Sequence, residues 1–303
     1  MVRVEKINNI QICYEDNPNL HIKDYYFYCL NLLKENIEKS NSNINIIFGK
    51  LNWVFDNYNP IYRFDLQIEH TLVKDGGRGV NEKIVGAIEY EFGKNYLVRL
   101  IDSDYFNSID FIIEYSMPNV VNITKSKAYK QISNKLIYIP PATFDVHFSD
   151  TYRDKIISTF SNNGSQRRIT IEEKMKQSIY GYENITNCFM SNDLINLYDK
   201  TKILINIHQT DYHHTFEELR VFPAISRGVI VISENVPLKE YIPYNDLIIW
   251  CDYNNVIEKT LEVINNYKEI YNNIYNQQSK EKLLDLIDNN KIKINNLNLW
   301  KRN

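Results

Sequence analysis

The stretch Leu204–Glu234, LINIHQTDYHHTFEELRVFPAISRGVIVISE, decides how this chain is read. It belongs to a continuous apolar run, KILINIH from Lys202, that ends in Asn206, His208 and Gln209. A polar turn follows. A helix is predicted from Thr215 to Arg227, and a short strand, VIVISE from Val229, ends at Ser233 and Glu234. An unbroken β-branched run reads as a strand buried on both faces of a parallel sheet. Strand, helix and parallel strand in succession require a right-handed crossover. Polar groups at the strand ends and at the helix start lie on the edge where open α/β sheets bind ligands.

The same alternation extends in both directions. Upstream strand candidates are IQICY (from Ile10), INIIF (from Ile44), RFDLQIEH (from Arg63), YLVRLI (from Tyr96), FIIEY (from Phe111) and LIYIP (from Leu136). The second set adds KIISTFS (from Lys155), NITNCF (from Asn184) and LIIWCD (from Leu247). Helices are predicted over His21–Lys39, Gln166–Ile179, Asp193–Tyr198 and Asn254–Tyr267. This is α/β architecture in both halves. The prolines of IPPATFDVHFSD (from Ile139) mark the boundary. Domain one is set at 1–145, domain two at 150–275, and a helical tail at 276–303.

Composition narrows the function classes. The 303 residues carry a formal net charge of -3, with 44% hydrophobic and 24% charged residues. No basic face of the kind a nucleic-acid binder needs is visible. No apolar run reaches the length of a signal peptide or a membrane span, so a cytoplasmic protein is expected. Cys13, Cys29, Cys188 and Cys251 are scattered without a CxxC pair, which fits reduced thiols rather than disulfides or a zinc knuckle. The sequons at Asn122 and Asn184 then carry no meaning. The 23 tyrosines and the many Asn, Ile and Lys residues reflect codon bias, so single Tyr or Asn residues are not taken as signals.

Two segments of the second half concentrate chemistry. In the first, a helix N-terminus near Thr215 offers unpaired N–H groups and partial positive charge, which suits a diphosphate. Thr215 and Glu218 also spell a T-x-x-E capping box, an ordinary structural role. Glu217 and Arg220 share a helix face, where an i,i+3 surface pair is the bland reading. Pro223 removes one backbone bond inside that helix. In the second segment, STFSNNGSQRRITIEEK from Ser158, a strand runs into Gly164, and Arg167 and Arg168 open a helix. A glycine turn lets a phosphate approach the backbone, and arginine binds it bidentately. The alternative is a plain strand–turn–helix with solvated arginines.

Together these segments resemble the donor-binding domain of GT-B glycosyltransferases, particularly small members from bacteria and large DNA viruses. The matching residues are Asn206-Ile207-His208, Glu217/Glu218, Arg220, Gly228 and Val231-Ile232-Ser233-Glu234, with Gly164, Arg167 and Arg168 at the first turn. The resemblance implies two Rossmann-like domains facing a cleft, and a nucleoside-diphosphate sugar as co-substrate. It implies that one glutamate, Glu218 by preference, holds the ribose. It also implies that Arg220 and Arg167 or Arg168 neutralise the departing diphosphate. Thr215, Ser233 and Glu234 complete the donor-side set. Pro223 stands where many retaining GT-B enzymes carry a glutamate, a departure from those families.

In the first half, RFDLQIEHTLVKDGGRGV ends a strand in Glu69 and His70. The loop Asp75, Gly76, Gly77, Arg78, Gly79 follows, in a protein with only 9 glycines. Such a cluster marks a mobile or ligand-hugging loop, here on the acceptor side. Viral and bacterial relatives of this type also resemble the chain in E-H-T-L and in Glu114-Tyr115-Ser116 with Asn119. An inverting transferase needs a base for the acceptor hydroxyl, and His70 or Glu69 is expected to supply it. The alternative is a strand-end pair bonding loop backbone. No cofactor and no divalent metal are expected.

Three rival readings come from the same residues. Asp102-Ser103-Asp104 after a strand matches the D-x-D by which GT-A transferases hold Mn²⁺, although an aspartate there also caps a turn. His208, His213, His214 and Glu217 are metal-ligand types, in a spacing that fits no known signature. The third is a nucleotide-sugar or glycan-binding protein without turnover.

Overall fold

The computed structural model describes residues 1–74, 84–90, 94–100, 103–126, 129–148, 152–161, 165–188, 191–297 and 299. Its first half runs through β1 (Val2–Ile7), β2 (Ile10–Glu15), α1 (Lys23–Ile37), β3 (Asn45–Phe48), β4 (Ile61–Gln67), β5 (Leu72–Lys74), β6 (Ile84–Tyr90), β7 (Lys94–Arg99), α2 (Ser103–Asn107), β8 (Phe111–Glu114), α3 (Met117–Lys125), α4 (Lys130–Ser133) and β9 (Leu136–Tyr138). The second half follows with β10 (Lys155–Ser158), α5 (Gln166–Ser178), β11 (Tyr182–Asn184), α6 (Ser191–Lys200), β12 (Thr201–Asn206), α7 (Glu218–Ser226), β13 (Ile230–Glu234), β14 (Ile248–Cys251), α8 (Val256–Asn265), α9 (Tyr267–Ile274) and α10 (Gln277–Asn295). This is a mixed α/β fold with sheets of parallel strands.

The first sheet has the order β1-β2-β3-β4-β8-β9. β1 is an antiparallel hairpin partner of β2, and the other neighbours pair in parallel. Ile12, Ile46, Phe64 and Ile113 are buried on one face under Leu30, Leu33 and Ile37 of α1. Cys13 and Ile47 are buried on the other face, against Phe55. Burial on both faces is why these strands read as continuous apolar runs. The five parallel strands follow one another without reversal, so this sheet lacks the strand-order switch of a doubly wound fold.

The second sheet is parallel throughout, in the order β11-β10-β12-β13-β14. Its chain goes from β10 to β11 on one side and returns to β12 on the other. The reversal between β10 and β12 is the place where ligands enter folds of this kind. Ile203, Leu204, Ile205, Ile230, Val231 and Ile232 form its buried centre.

A third sheet, β5-β7-β6, is antiparallel. β7 therefore departs from the parallel placement expected of YLVRLI. Its alternate residues Tyr96 and Val98, with Leu100 beyond it, are buried, a period-two pattern that serves a strand with one covered face. The free edge of β5 pairs with the turn after β12. His214 N–H donates to Leu72 O at 2.9 Å, and Lys74 N–H to Tyr212 O at 2.8 Å.

The tail packs across both cores. Leu283 of α10 belongs to the second sheet's cluster and Ile294 to the first's. α10 rests on α1, and Asn290 Nδ2 donates to Tyr28 Oη at 2.9 Å and to Pro140 O at 3.3 Å. All four cysteines are free thiols, and Cys13, Cys29 and Cys251 are buried. Among the described residues no helix is long and apolar enough to cross a membrane.

Candidate functional site

The switch between β10 and β12 organises the polar side chains of the second half. β12 ends at Asn206, whose Nδ2 donates to Ser233 Oγ at 3.0 Å. Its Oδ1 accepts from Arg220 Nη1 at 2.9 Å, which turns the Arg220 guanidinium toward the strand ends. α5 begins here too, capped by Ser165, which accepts from Arg168 N–H at 3.2 Å. The Ser165 hydroxyl donates to Gln209 O at 2.5 Å and so ties the α5 start to the turn after β12.

The two adjacent arginines of α5 behave differently. Arg168 is buried, and its guanidinium donates to Ile207 O at 2.8 and 3.2 Å and to Ser161 O at 3.2 Å. Burial, and then the charge of Arg220, push it down to about 9. Arg168 is thus a strut for the chain leaving β10 and β12. Arg167 forms a bidentate pair with Glu234, at 2.6 and 2.5 Å, and reaches Asp211 Oδ1 with Nε at 2.6 Å. Its guanidinium lies 3.9 Å from the ring centroid of Tyr253. Burial opposes ionisation of Glu234, but His208, Arg167 and the His208 N–H outweigh it and hold the carboxyl below its ordinary range.

The first half delivers His70 to the same region. His70 follows β4, and its Nε2 lies 3.0 Å from Oε1 of Glu217, the residue before α7. The two side chains keep 22% and 19% exposure, so the pair is partly open to solvent rather than sealed in a core. Burial alone would raise the Glu217 carboxyl. His70, then Arg220 and Arg168, reverse this and hold it far below the usual range. The other ring nitrogen, His70 Nδ1, is buried with no hydrogen-bond partner among the described residues. His213 lies beside it, with ring centroids 5.9 Å apart.

The three sequence segments E-H-T-L, E-Y-S with Asn119, and T-F-E-E converge behind this pair. Thr215 Oγ1 accepts from Thr71 N–H at 3.1 Å and Leu72 N–H at 3.2 Å, and donates to Asn119 Oδ1 at 2.9 Å. Asn119 Nδ2 donates to Glu114 at 3.1 Å and to Glu69 O at 3.3 Å. Ser116 Oγ donates to Phe216 O at 3.1 Å. The expected capping box is therefore absent. α7 begins at Glu218, three residues later than predicted, because the Thr215 hydroxyl is used across the halves instead of on its own helix.

Glu218 also departs from its expected role on the ribose. Its carboxyl is fully buried, and it accepts from Met117 N–H at 2.7 Å, Tyr138 Oη at 2.7 Å and Tyr244 Oη at 2.6 Å. Burial pushes it up to about 7 against these hydrogen bonds. Partners inside the protein occupy both oxygens, which leaves Glu217 as the partly exposed glutamate of this pair. Glu69 contributes its carbonyl to the junction, accepting also from Gln67 Nε2 at 2.8 Å.

The histidines of the metal reading are engaged with one another and with backbone. His208 Nε2 is 3.1 Å from Asn235 O, and its ring stacks on His214 at 5.0 Å. His214 contacts Tyr96 Oη at 2.7 Å and Asp211 O at 2.9 Å, and burial pushes it down to about 4. His213 Nδ1 pairs with Thr210 Oγ1 at 2.8 Å. No group of three metal-ligand side chains forms among the described residues. Asp104 lies in the first turn of α2. Asp102, Gly164 and the loop Asp75, Gly76, Gly77, Arg78, Gly79 lie outside the described residues.

The signals missed in the sequence are Tyr138, Tyr244 and Asp211. Nothing local distinguishes these residues from other tyrosines and aspartates, because their roles depend on partners from distant segments.

Comparison with known proteins gives relatives rather than a family. No protein-family model matches the chain. An uncharacterised protein of Acanthamoeba polyphaga mimivirus is 29% identical over 183 residues, which is 59% of this chain and 61% of that protein. A second mimivirus protein, also uncharacterised, is 26% identical over 288 residues, 88% of this chain and 37% of its own length. The chain thus spans less than two thirds of the length of these relatives. Among solved structures, T4 phage BGT in complex with UDP and Mn²⁺ is similar with a TM-score of 0.42 and 13% identity, over 94% of this chain and 98% of that one. A GtfA/B complex bound to UDP and GlcNAc is similar with a TM-score of 0.31 and 11% identity, over 90% of this chain and 57% of that one.

Proposed function

We propose that this chain is a GT-B-type glycosyltransferase that moves a sugar from a nucleoside-diphosphate sugar to a hydroxyl acceptor, with inversion and without a metal. The observation that carries the reading is the meeting of two features at one sheet edge. Arg220 and the α5 N-terminus stand at the β10–β12 switch, and the His70–Glu217 pair stands beside them. In this reading residues 1–145 form the acceptor side, 150–275 the donor side, and 276–303 a strap across both.

The chemistry follows from these positions. His70 removes the acceptor hydroxyl proton as the acceptor oxygen attacks the anomeric carbon. Glu217 orients the imidazole through Nε2 and stabilises the imidazolium that forms. The bond from the anomeric carbon to the β-phosphate oxygen breaks on the opposite face, and its electron pair leaves with the nucleoside diphosphate. Arg220 and the positive N-terminal end of α5 oppose that developing charge. Arg167 and Glu234, with Tyr253 beneath them, form the wall on which the nucleoside rests.

The test is a thermal-shift screen with UDP, GDP, ADP, CMP and dTDP, each in EDTA and in Mn²⁺. A ligand at 100 times its Kd stabilises by about 2.7 kcal/mol. A shift with one nucleotide that survives EDTA supports the reading. A shift that needs Mn²⁺ moves the donor site to Asp102 and Asp104, and no shift with any nucleotide removes the donor site altogether.

A further inference from the structure

Four consecutive residues, Thr215 to Glu218, carry the chain into α7, and three of them are fastened to the first half. Thr215 is held by its hydroxyl, Phe216 by its carbonyl and Glu218 by its carboxyl. The Glu217 side chain instead meets His70.

The Glu218 attachment is of an unusual kind. Met117 N–H is the first donor of α3, and Ser116, which precedes it, makes no side-chain cap. Glu218 takes that place from the other half of the molecule, so its carboxyl faces the positive end of α3. Tyr138, at the end of β9, donates to it from the first sheet, and Tyr244 donates from the second half. Lys293 of α10 donates to Tyr138 O at 2.7 Å and lies 4.8 Å above the Tyr138 ring, which fixes that tyrosine from the tail. Glu114 is the nearby carboxyl, buried and itself bonded to Ser116 N–H and Asn119.

A carboxyl inside a protein is costly unless it is fully bonded, and apolar packing would join two halves more cheaply. A hydrogen-bonded hub offers direction instead, since its donors accept only one arrangement of the chain between them.

We infer that Glu218 is a positioning residue, one that locks the start of α7 to both halves so that Glu217 is set against His70. This rests on the reading of His70 and Glu217 as the proton-transfer pair. It goes further by assigning the alignment of that pair to an adjacent buried carboxyl that touches no substrate.

The test does not depend on turnover. Diethyl pyrocarbonate modifies neutral imidazoles, and mass spectrometry reads the rate at each histidine. Full-length wild type, Glu217→Gln, Glu218→Gln and Tyr244→Phe are compared, with exposed His21 and His147 as internal references. His70 should react about two- to ten-fold faster in Glu217→Gln, the range one ordinary hydrogen bond holds closed. Glu218→Gln should reproduce that rise, and Tyr244→Phe part of it, while His21 and His147 keep their wild-type rates. A Glu218→Gln protein whose His70 reacts at the wild-type rate overturns the inference. If Glu218→Gln fails to fold, Tyr244→Phe decides alone, because it deletes one donor and leaves the carboxyl. Loss of nucleotide binding in the thermal-shift screen would strike the transferase reading and leave this result standing. The reverse holds equally.

Discussion

His70 Nε2 and Glu217 Oε1 lie 3.0 Å apart, one brought by the loop after β4 and the other by the residue before α7. Neither half of the chain contains this pair alone. It exists because the junction around Thr215, Asn119 and Thr71 brings the two segments together.

The first prediction concerns that pair. His70→Ala should lower kcat by about 10²–10⁴-fold, the usual contribution of a positioned base. Glu217→Gln should lower it less, because the imidazole remains. Nucleoside-diphosphate affinity should stay within a few-fold in both. Steady-state kinetics with parallel titration calorimetry checks this, and wild-type turnover in both variants would remove the pair from the mechanism.

Arg220 is predicted to act on the leaving group. Its guanidinium is oriented by Asn206 rather than neutralised by a bidentate carboxylate, unlike that of Arg167. Arg220→Met should weaken binding of the diphosphate by about 10-fold or more, as expected for a charge-assisted hydrogen bond worth roughly 1.5–3 kcal/mol. Binding of the corresponding nucleoside without phosphates should not change. Equal losses for both ligands would mean that Arg220 supports the fold only.

Glu218 makes stability depend on pH in a direction that can be worked out. Its folded-state value is pushed up to about 7, above the ordinary 4.5. The folded protein therefore holds this proton more tightly than the unfolded chain. The contribution is complete below about pH 4.5 and is lost as the pH rises through 7. The slope approaches about 1.4 kcal/mol per pH unit within that window. Urea unfolding from pH 5 to 8 should show wild type losing about 2–3 kcal/mol relative to Glu218→Gln. A difference that stays constant with pH would contradict it.

Thr215→Val tests the junction itself. Valine keeps the shape and deletes an oxygen that accepts from two buried backbone N–H groups. Leu72 N–H is left unpaired while Thr71 N–H keeps Asn119 Oδ1 at 3.4 Å, so a loss of roughly 1–3 kcal/mol is expected in chemical denaturation. Thr215→Ser should recover most of it. A valine variant as stable as wild type would show that water replaces the hydroxyl.

Much of this architecture is legible locally. The runs at Ile10, Ile44, Phe111, Lys155, Lys202 and Val229 are β-branched and unbroken because both faces of their strands are buried, and burial leaves that mark in composition alone. The helices over Lys23–Ile37 and Gln166–Ser178 match their predicted spans closely for the same reason, a period of 3.6. Gly228, with φ at 73°, ends α7 as its place after PAISR implies. The strand expected from Asn184 instead spans Tyr182–Asn184. It starts directly after Gly181, whose φ of 77° makes the turn from α5 tighter than the apolar pattern indicates.

What the amino-acid sequence determined by itself is the run of parallel strands in the two large sheets, the helices α1, α5, α6, α7 and α8, and the polar edge at Asn206, Ser233 and Glu234. Hydrophobic period and residue type are local properties, so they are readable without a fold. The tertiary structure alone decided which neighbour does what. Glu217 and Glu218 are adjacent and identical in chemistry, yet one meets His70 and the other is buried among Met117, Tyr138 and Tyr244. Arg167 and Arg168 divide in the same way, one on Glu234 and the other on backbone carbonyls. Those assignments turn on which distant segments a side chain meets. Such pairings are set by how the sheets and their junction close on one another, a long-range outcome that no local pattern encodes.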